Sequence, residues 1–369
     1  MNLVKKTIII SGANLYEGGT FSILKDCLNF LNKNSHLDYE IIALVNDATS
    51  FVKYKNIKFI EFKKIRYSYF HRLFYEYIYY YYLSLKLKPF LWFSINDISS
   101  NIISERRVVY CHNPSPFRTL QVRDLLDQPK LFFFTIFYKY IYKINLKKNN
   151  YVIVQQNQIK EIFSKTFNLQ LNKIITAIPN IDNFDIVNFN KNTSNDHKVF
   201  FFPTFPRPFK NIEVICDAIL ILRNQNLTNF EVIITIDGTE NGYSSRIVNK
   251  YKYINQVKFI GSIKRESVFD YYNNVDYLLF PSKLETWGLP ITEFKKLKKP
   301  MIVSNLSYAL ETVGKYDKVN FFNPDNPNEL ALHMMNYINC EFNFDETNQT
   351  IYNKPHANSW EQLFDYLLK

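Results

Sequence analysis

Two glutamates in the second half of the chain have the spacing and surroundings of a hydroxyl-binding site. Residues 280–294 read FPSKLETWGLPITEF and place Glu285 and Glu293 eight positions apart around a Trp-Gly-Leu-Pro turn. Each carboxylate can accept two hydroxyl hydrogen bonds, so the pair suits a polyol such as a sugar or a ribose. Because this spacing also occurs by chance, the hypothesis depends on the elements around the pair.

Those elements predict where the two carboxylates lie. The β-branched and aromatic run 275–280 is typical of a buried parallel strand, and Pro290 suits the first position of a helix. Glu285 is then expected in the loop that leaves the strand, and Glu293 in the first turn of the following helix. Ligands of open α/β sheets collect at this place, beyond the carboxyl ends of the strands.

This segment resembles the E-x7-E signature of the retaining family 4 glycosyltransferases (glycosyl transferases group 1), which have the GT-B fold. The resemblance implies that Glu293 binds the ribose and that Glu285 holds hydroxyls of the donor sugar. Backbone amides around Trp287, Gly288 and Leu289 would help to hold that sugar. The implied reaction is glycosyl transfer with retention from a UDP- or GDP-linked sugar. The sequence leaves a covalent nucleophile and a same-face displacement open; the family favours the second, which makes Glu285 a binding residue at the reacting centre.

Alternating elements along the chain predict an α/β fold. At 369 residues, the chain exceeds the usual size of a single core. Strands are predicted over 7–10, 40–45, 57–62, 107–111, 151–155, 198–202, 230–236, 257–260, 275–280, 300–303 and 319–322. Helices in the first half are predicted over 20–31, 67–87, 131–147 and 158–166. This alternation favours parallel sheets wrapped by helices.

The predicted architecture is GT-B: two doubly wound, Rossmann-like domains with a cleft between them. We expect an acceptor-side domain over 1–185, a polar linker over 186–197 and a nucleotide-sugar-binding domain over 198–355. Residues 356–369 resemble the closing helix that returns to the N-terminal domain in GT-B enzymes.

A glycine pair follows the first predicted strand and opens a helix. Gly18 and Gly19 in SGANLYEGGT let backbone amides approach a phosphate or a sugar, although an ordinary glycine turn is the favoured explanation when the pair is taken alone. By resemblance, this pair faces the donor diphosphate.

A histidine and two cations complete the candidate set. His112 in YCHNPSPF follows a strand and resembles the family's cleft histidine near the reacting sugar; a structural role is the alternative. We take His112 and Glu285 as the catalytic candidates. Arg207 and Lys210 in FFPTFPRPFKN could neutralise a diphosphate. Their spacing of three departs from the family pattern, so which cation contacts which phosphate stays open.

The net positive charge of the protein comes from the first half of the chain. Residues 1–190 carry 25 basic and 14 acidic side chains, whereas residues 191–369 carry 20 of each. In 131–148, Lys139, Lys143 and Lys147 form one predicted helical stripe. The opposite, apolar face consists of Phe133, Phe137, Tyr140, Ile141 and Ile144.

Residues 63–88 add further basic side chains and a tyrosine-rich run. Basic aromatic helices can rest on an anionic membrane; the alternative is ordinary packing on the sheet with a solvated lysine face. Because the basic and aromatic half suits an acceptor that is anionic and membrane-borne, we expect a lipid-linked saccharide as the acceptor. No nucleic-acid recognition motif is present, so we expect no nucleic acid as a partner.

Other sequence features bound the cellular setting. The N-terminus lacks the pattern of a secretory signal, and no uncharged apolar run is long enough to span a bilayer. Four scattered cysteines suggest neither a metal cluster nor a disulfide scaffold. We expect a cytoplasmic enzyme, peripheral at the inner face of the cytoplasmic membrane, that is independent of metal and carries no cofactor besides its nucleotide-sugar substrate.

The function predicted from these features is sugar transfer to a lipid-linked glycan in the synthesis of lipopolysaccharide O-antigen, capsule or a similar surface polysaccharide. An alternative is a non-catalytic sugar-nucleotide-binding subunit that supports a partner glycosyltransferase. A GT-B epimerase is a third interpretation, but it gives no reason for a basic and aromatic acceptor half.

Overall fold

The structure of the chain is a computed structural model, and it consists of two compact units. The model describes residues 5–16, 18–34, 39–113, 115–117, 125–126, 128–178 and 197–369. The first unit comprises Met1–Pro116, Ile136–Asp182 and Tyr352–Lys369, and the second comprises Phe117–Thr135 and Asn183–Ile351. Residues 117–135, which we expected in the N-terminal domain, therefore group with the second unit. The expected linker, His197 apart, lies outside the described residues.

A parallel sheet forms the centre of the first unit. Its described strands are β1 (Lys6–Ser11), β2 (Tyr39–Val45), β3 (Ile57–Glu61), β4 (Leu91–Ser94), β5 (Arg106–Tyr110), β6 (Tyr151–Val154), β7 (Ile174–Ala177) and β14 (His356–Ala357). Their order is β14-β7-β6-β5-β4-β1-β2-β3. Strands β4, β7 and β14 were not predicted from the sequence; the other strands agree with the predicted segments to within a residue or so.

A second parallel sheet forms the centre of the second unit. Its described strands are β8 (Lys198–Phe202), β9 (Phe230–Ile234), β10 (Val257–Phe259), β11 (Tyr277–Phe280), β12 (Met301–Ser304) and β13 (Val319–Phe322). Their order is β10-β9-β8-β11-β12-β13, and all six fall within predicted segments or within one residue of them.

Helices cover both sheets. Those in the described residues are α1 (Gly18–Lys33), α2 (Tyr69–Phe74), α3 (Tyr80–Leu87), α4 (Pro129–Lys143), α5 (Asn157–Phe167), α6 (Ile212–Asn224), α7 (Gly242–Tyr251), α8 (Arg265–Asn274), α9 (Leu289–Lys295), α10 (Ser307–Val313), α11 (Pro327–Ile338) and α12 (Trp360–Leu368). A π-helical turn, Tyr75–Tyr79, joins α2 to α3.

Aromatic side chains fill both cores. In the second unit, the Phe200 ring lies 4.9 Å from that of Tyr277, and the Phe202 ring lies 5.9 Å from that of Phe280. In the first unit, Phe364 of α12 stacks on Phe30 at 5.5 Å. The last helix is therefore part of the core of the first unit.

Each sheet reverses its strand order at one place. In the second unit, β9 and β10 continue to one side of β8, while β11 begins the other side. In the first unit, the same reversal separates β1 from β4. Because loops leave adjacent strands in opposite directions at a reversal, a crevice opens beyond their carboxyl ends.

Candidate functional site

The loops that follow β8 and β11 form the candidate site of the second unit, which we call the switch-point site (residues 203–211 and 281–288). The backbone N–H of Lys283 donates to the carbonyl of Phe209 at 2.7 Å. The side-chain amide of Asn211 donates to the carbonyl of Pro281 at 3.3 Å. These two bonds fix the loops to each other, so side chains from both act at one place.

Lys210 and Glu285 form an ion pair in this site. The ammonium Nζ of Lys210 lies 2.5 Å from Oε1 of Glu285, and the two side chains are only 18% and 15% exposed. Lys210 also lies 5.9 Å from the centroid of the Phe280 ring. The sequence predicted a diphosphate contact for Lys210 and a sugar contact for Glu285 separately, and the structure brings the two together.

Arg207 lies in the same loop as Lys210 but has different partners. Its Nη1 donates to Oε1 of the buried Gln128 at 3.2 Å, and its guanidinium lies 5.0 Å from the centroid of the Phe205 ring. The carbonyl of Pro206 accepts from the Gln128 amide. Sequence reasoning missed Gln128, since nothing near it in the chain marks it as part of this loop.

The turn after Glu285 contains one position, Gly288, whose backbone conformation favours glycine. Gly288 has φ +87°, and a Cβ there would lie 3.2 Å from Cδ1 of Ile291 and 3.3 Å from Cε1 of Phe280. The Trp287 indole N–H donates to the hydroxyl of Thr292 at 2.9 Å. Helix α9 begins at Leu289, one residue before the predicted start at Pro290. Whether the backbone around these residues holds a sugar stays a prediction.

Glu293 is buried and already bonded. It is 1% exposed; Nη2 of Arg265 lies 2.6 Å from its Oε1, and the hydroxyl of Tyr272 donates to its Oε2 at 2.9 Å. Burial and then the Glu293 carboxylate raise the pKa of Tyr272. Each carboxylate oxygen can accept a further bond, and ribose binding by Glu293 stays a prediction. Sequence reasoning missed both partners, which lie on α8.

The glycine pair lies at the start of α1, directly after β1 and its loop. Gly18 has φ +74°, and apart from its chain neighbours and its own helix backbone no atom of the described residues lies within 4 Å of a Cβ built on it. Gly19 lies in the same first turn. The predicted placement at a helix N-terminus is therefore observed, and the diphosphate contact stays a prediction.

His112 follows β5 and is buried. Its Nε2 lies 3.1 Å from the carbonyl oxygen of Ile95, and its Nδ1 lies 3.5 Å from the side-chain amide of Gln155. Since a carbonyl only accepts, Nε2 carries the proton and Nδ1 accepts from Gln155. Burial lowers the pKa of His112, opposed by the charge of Asp97. The ring is therefore neutral and held in one tautomer.

The basic and aromatic segments expose their apolar faces. Phe133, Phe137, Tyr140 and Ile144 are exposed, whereas Tyr138 and Tyr142 are buried. Helix α4 therefore packs on the first unit through the face that carries Tyr138 and Tyr142, and most of the predicted apolar face is exposed. It also ends at Lys143, so the predicted lysine stripe is wrong at Lys147, which lies in the 3-10 turn Leu146–Lys148.

Two absences hold for the described part of the chain. No described helix is long and apolar enough to cross a bilayer. Within the same ranges, no cluster of three or more His, Cys, Asp or Glu side chains could hold a metal ion.

Comparisons with known proteins agree with this geometry. Residues 183–356 match the family model described as glycosyl transferases group 1. The O-antigen chain mannosyltransferase RfbU of Salmonella typhimurium is 20% identical over 253 residues, which cover 65% of this chain and 68% of that protein.

Solved structures match nearly the whole chain. The lipopolysaccharide outer core galactosyltransferase WaaB has a TM-score of 0.62 at 15% identity, covering 92% of each chain. Alr3699/HepE of Anabaena, in complex with UDP-glucose, has a TM-score of 0.59 at 14% identity, covering 90% of this chain and 89% of that one. The chain therefore has the two-domain GT-B fold, and its residues 183–356 match the group 1 glycosyltransferase model, which confirms the predicted fold and the predicted resemblance.

Proposed function

We propose that the protein is a retaining glycosyltransferase that moves a sugar from a nucleotide-diphosphate donor to a lipid-linked glycan. The observation that carries this proposal is the Lys210–Glu285 pair at the switch point of the second unit. Lys210 supplies a cation for a phosphate, and Glu285 supplies an acceptor for sugar hydroxyls. Because the two side chains are in contact, they can bind the phosphate and the sugar of one sugar diphosphate, which are covalently linked.

The reaction needs charge stabilisation more than it needs acid–base groups. When the bond between the sugar C1 and the diphosphate oxygen breaks, negative charge develops on the leaving group. Lys210 and Arg207 would stabilise that charge. Because side-chain cations supply this stabilisation, we propose metal-independent transfer; unchanged turnover in a chelator would agree, and loss of turnover restored by Mg²⁺ would contradict it.

We assign Glu285 to binding rather than to nucleophilic attack. Its pairing with the Lys210 ammonium reduces the electron density available for attack on C1. The proposed step is therefore a displacement in which the acceptor oxygen bonds to C1 on the face that the diphosphate leaves. The acceptor proton passes to the departing phosphate oxygen.

The donor assignment extends to the flanking residues. Glu293 would bind the ribose in exchange for its contact with Arg265, and Gly18-Gly19 would approach the diphosphate. His112 is the catalytic candidate of the first unit. The Anabaena structure in complex with UDP-glucose supports a nucleotide-sugar donor and favours UDP over GDP for the first trials.

An exposed face of the first unit supports a membrane-borne acceptor. Phe70, Phe74, Ile78, Tyr82 and Leu85 recur every three or four residues along α2, the π turn and α3, and all five are exposed. We call this set the aromatic stripe. Such spacing places them along one side of a helix.

The exposed charges from residue 62 to residue 88 are of one sign, and Glu61 just before them pairs with Lys63. Lys63, Lys64 and Arg66 are exposed before the aromatic stripe, and Lys86 and Lys88 follow. Glu76, the one acidic residue between 62 and 88, is buried. An apolar stripe with basic flanks suits an anionic bilayer, so we propose a peripheral enzyme at the inner face of the cytoplasmic membrane.

The functions of RfbU and WaaB, two proteins that this chain is similar to, support the acceptor class. One is an O-antigen mannosyltransferase and the other a lipopolysaccharide core galactosyltransferase. We propose that this chain likewise acts on a surface polysaccharide.

A nucleotide screen followed by product analysis tests the proposal. Thermal unfolding is measured with UDP, GDP, ADP and their sugars, because a ligand of the folded state raises the midpoint. We expect one nucleotide to stabilise the protein and its α-linked sugar to give an α-linked product by NMR. A β-linked product contradicts retention. Stabilisation without transfer to any lipid-linked acceptor favours the non-catalytic subunit.

A further inference from the structure

Asp97 has a backbone conformation that is uncommon for its type. It follows β4 at the reversal point of the first unit's sheet and has φ +69°. Its backbone N–H donates to the carbonyl of Tyr110 at 3.2 Å. Non-glycine residues in this left-handed region cost energy and persist where the surroundings determine them.

One oxygen of Asp97 collects three donors, two of them from the turn that carries His112 and one from α4. Its Oδ1 accepts from the backbone N–H of His112 at 2.5 Å and from that of Asn113 at 3.1 Å. The hydroxyl of Tyr142 donates to the same oxygen at 2.9 Å. Bonds to an ionised acceptor are stronger than neutral ones, so this carboxylate fixes two consecutive peptide groups.

The same short segment also holds the imidazole. Ile95, two residues before Asp97, accepts from Nε2 of His112 at 3.1 Å. Residues 95–97 therefore bind His112 at its backbone and at its ring, while Gln155 faces the other ring nitrogen.

A buried polar network in turn fixes residues 95–97. Nη2 of Arg72 donates to the carbonyl of Asn96 at 2.7 Å and to the hydroxyl of Tyr138 at 3.2 Å. The carboxylate of Glu76 accepts from the Asn96 amide and, at 2.5 Å, from the Ser100 hydroxyl. Every link of this network lies within the first unit.

We infer that Asp97 is a positioning residue that sets the place and tautomer of His112 through residues 95–97. This inference rests on the catalytic role proposed for His112. Asp97 acts through that residue and contacts no reacting atom. Its removal should lower the rate of the chemical step without changing how the second unit binds the donor.

Two variants with the same chemistry test the inference. Asp97→Asn keeps a residue that tolerates the left-handed backbone but removes the charge that holds the turn. Asp217→Asn is the matched control, because Asp217 accepts from the Tyr251 hydroxyl at 2.7 Å in the second unit. We expect Asp97→Asn to lower kcat by about 10- to 100-fold with an unchanged donor KM, and Asp217→Asn to keep both constants.

A spectroscopic measurement makes the result independent of turnover. The chain has six histidines, so selective 15N-histidine labelling gives few amide signals, and His112→Gln identifies that of His112. We expect Asp97→Asn to move this signal upfield as the charge-assisted bond is lost, and Tyr142→Phe to move it less. An unmoved signal overturns the inference, as does an unchanged kcat when His112→Gln is inactive. A fully active His112→Gln with a moved signal instead removes His112 from the proposed function.

Discussion

The ammonium of Lys210 lies 2.5 Å from the carboxylate of Glu285, although the two residues are 75 positions apart in the chain. Their loops leave β8 and β11, which are neighbours only because the sheet reverses its order there. The pair is therefore a consequence of topology. In the function proposed above, it places the cation for the donor diphosphate beside the acceptor for the donor sugar.

Loss of the Lys210 charge should slow transfer strongly. Removing one preorganised group that stabilises developing charge typically costs about 10²- to 10³-fold in rate. We expect Lys210→Met to lower kcat by that factor in a steady-state assay of nucleoside diphosphate release. The matched control is Lys58→Met on β3 of the first unit, which removes an exposed pair with Glu40 and should change kcat less than about twofold. Equal losses in the two variants would contradict the role of Lys210.

Part of this site was predictable from the sequence. The strand before Glu285 was predicted correctly, and Pro290 predicted the start of α9 to within one residue, because these are properties of a few neighbouring residues. The expectation that Glu293 lies in the first turn of that helix was wrong, since it is the fifth residue of α9. The contact between Lys210 and Glu285 depends on which strands become neighbours across the reversal. No local pattern contains that information.

The misses have physical causes as well. Asp97 and Arg265 act through partners distant in sequence and lie in no motif. In α4, aromatic residues occupy both the buried and the exposed face, so periodicity could not tell which face packs inward.

The buried partner of Glu293 should affect donor binding as well as stability. Tyr272→Phe leaves a carboxylate oxygen without its hydroxyl donor, which costs about 1–3 kcal/mol. We expect a lower urea midpoint and a raised donor KM. Tyr277→Phe is the control, because the Tyr277 hydroxyl donates to the buried carbonyl of Tyr337 at 2.9 Å. It should lower the urea midpoint and leave the donor KM unchanged; a raised KM in both variants would contradict a ribose role for Glu293.

Acid should destabilise the protein partly through His112. Burial holds the pKa of His112 below its unfolded value, which is about 6.5. As the pH falls through that value, the unfolded chain binds a proton that the folded chain does not. Stability is therefore lost toward acid, with a slope of up to about 1.4 kcal/mol per pH unit from this group. Urea unfolding between about pH 5 and 7 should show a shallower slope for His112→Gln than for the wild type, and equal slopes would contradict this.

The aromatic stripe should mediate binding to anionic vesicles. We expect the wild type to sediment with vesicles that contain phosphatidylglycerol and not with phosphatidylcholine alone, since the flanking charges are basic. Tyr82→Ser should weaken that binding. Tyr253→Ser is matched in type and exposure, at 60% against 66%, and should bind like the wild type. Equal sedimentation of all three proteins would remove the stripe from the membrane contact.

Turnover by Glu285→Gln tests the central claim most directly, because this change keeps the size of the side chain and removes only its charge. The donor is first identified by thermal stabilisation. We then measure release of the nucleoside diphosphate and transfer to the acceptor, using preparations of the variant and of the wild type that are folded to the same extent. We expect Glu285→Gln to lower kcat/KM by about 10²-fold or more, with little change in the thermal midpoint. A rate within twofold of the wild type would show that the switch-point site of the second unit does not hold the transferred sugar.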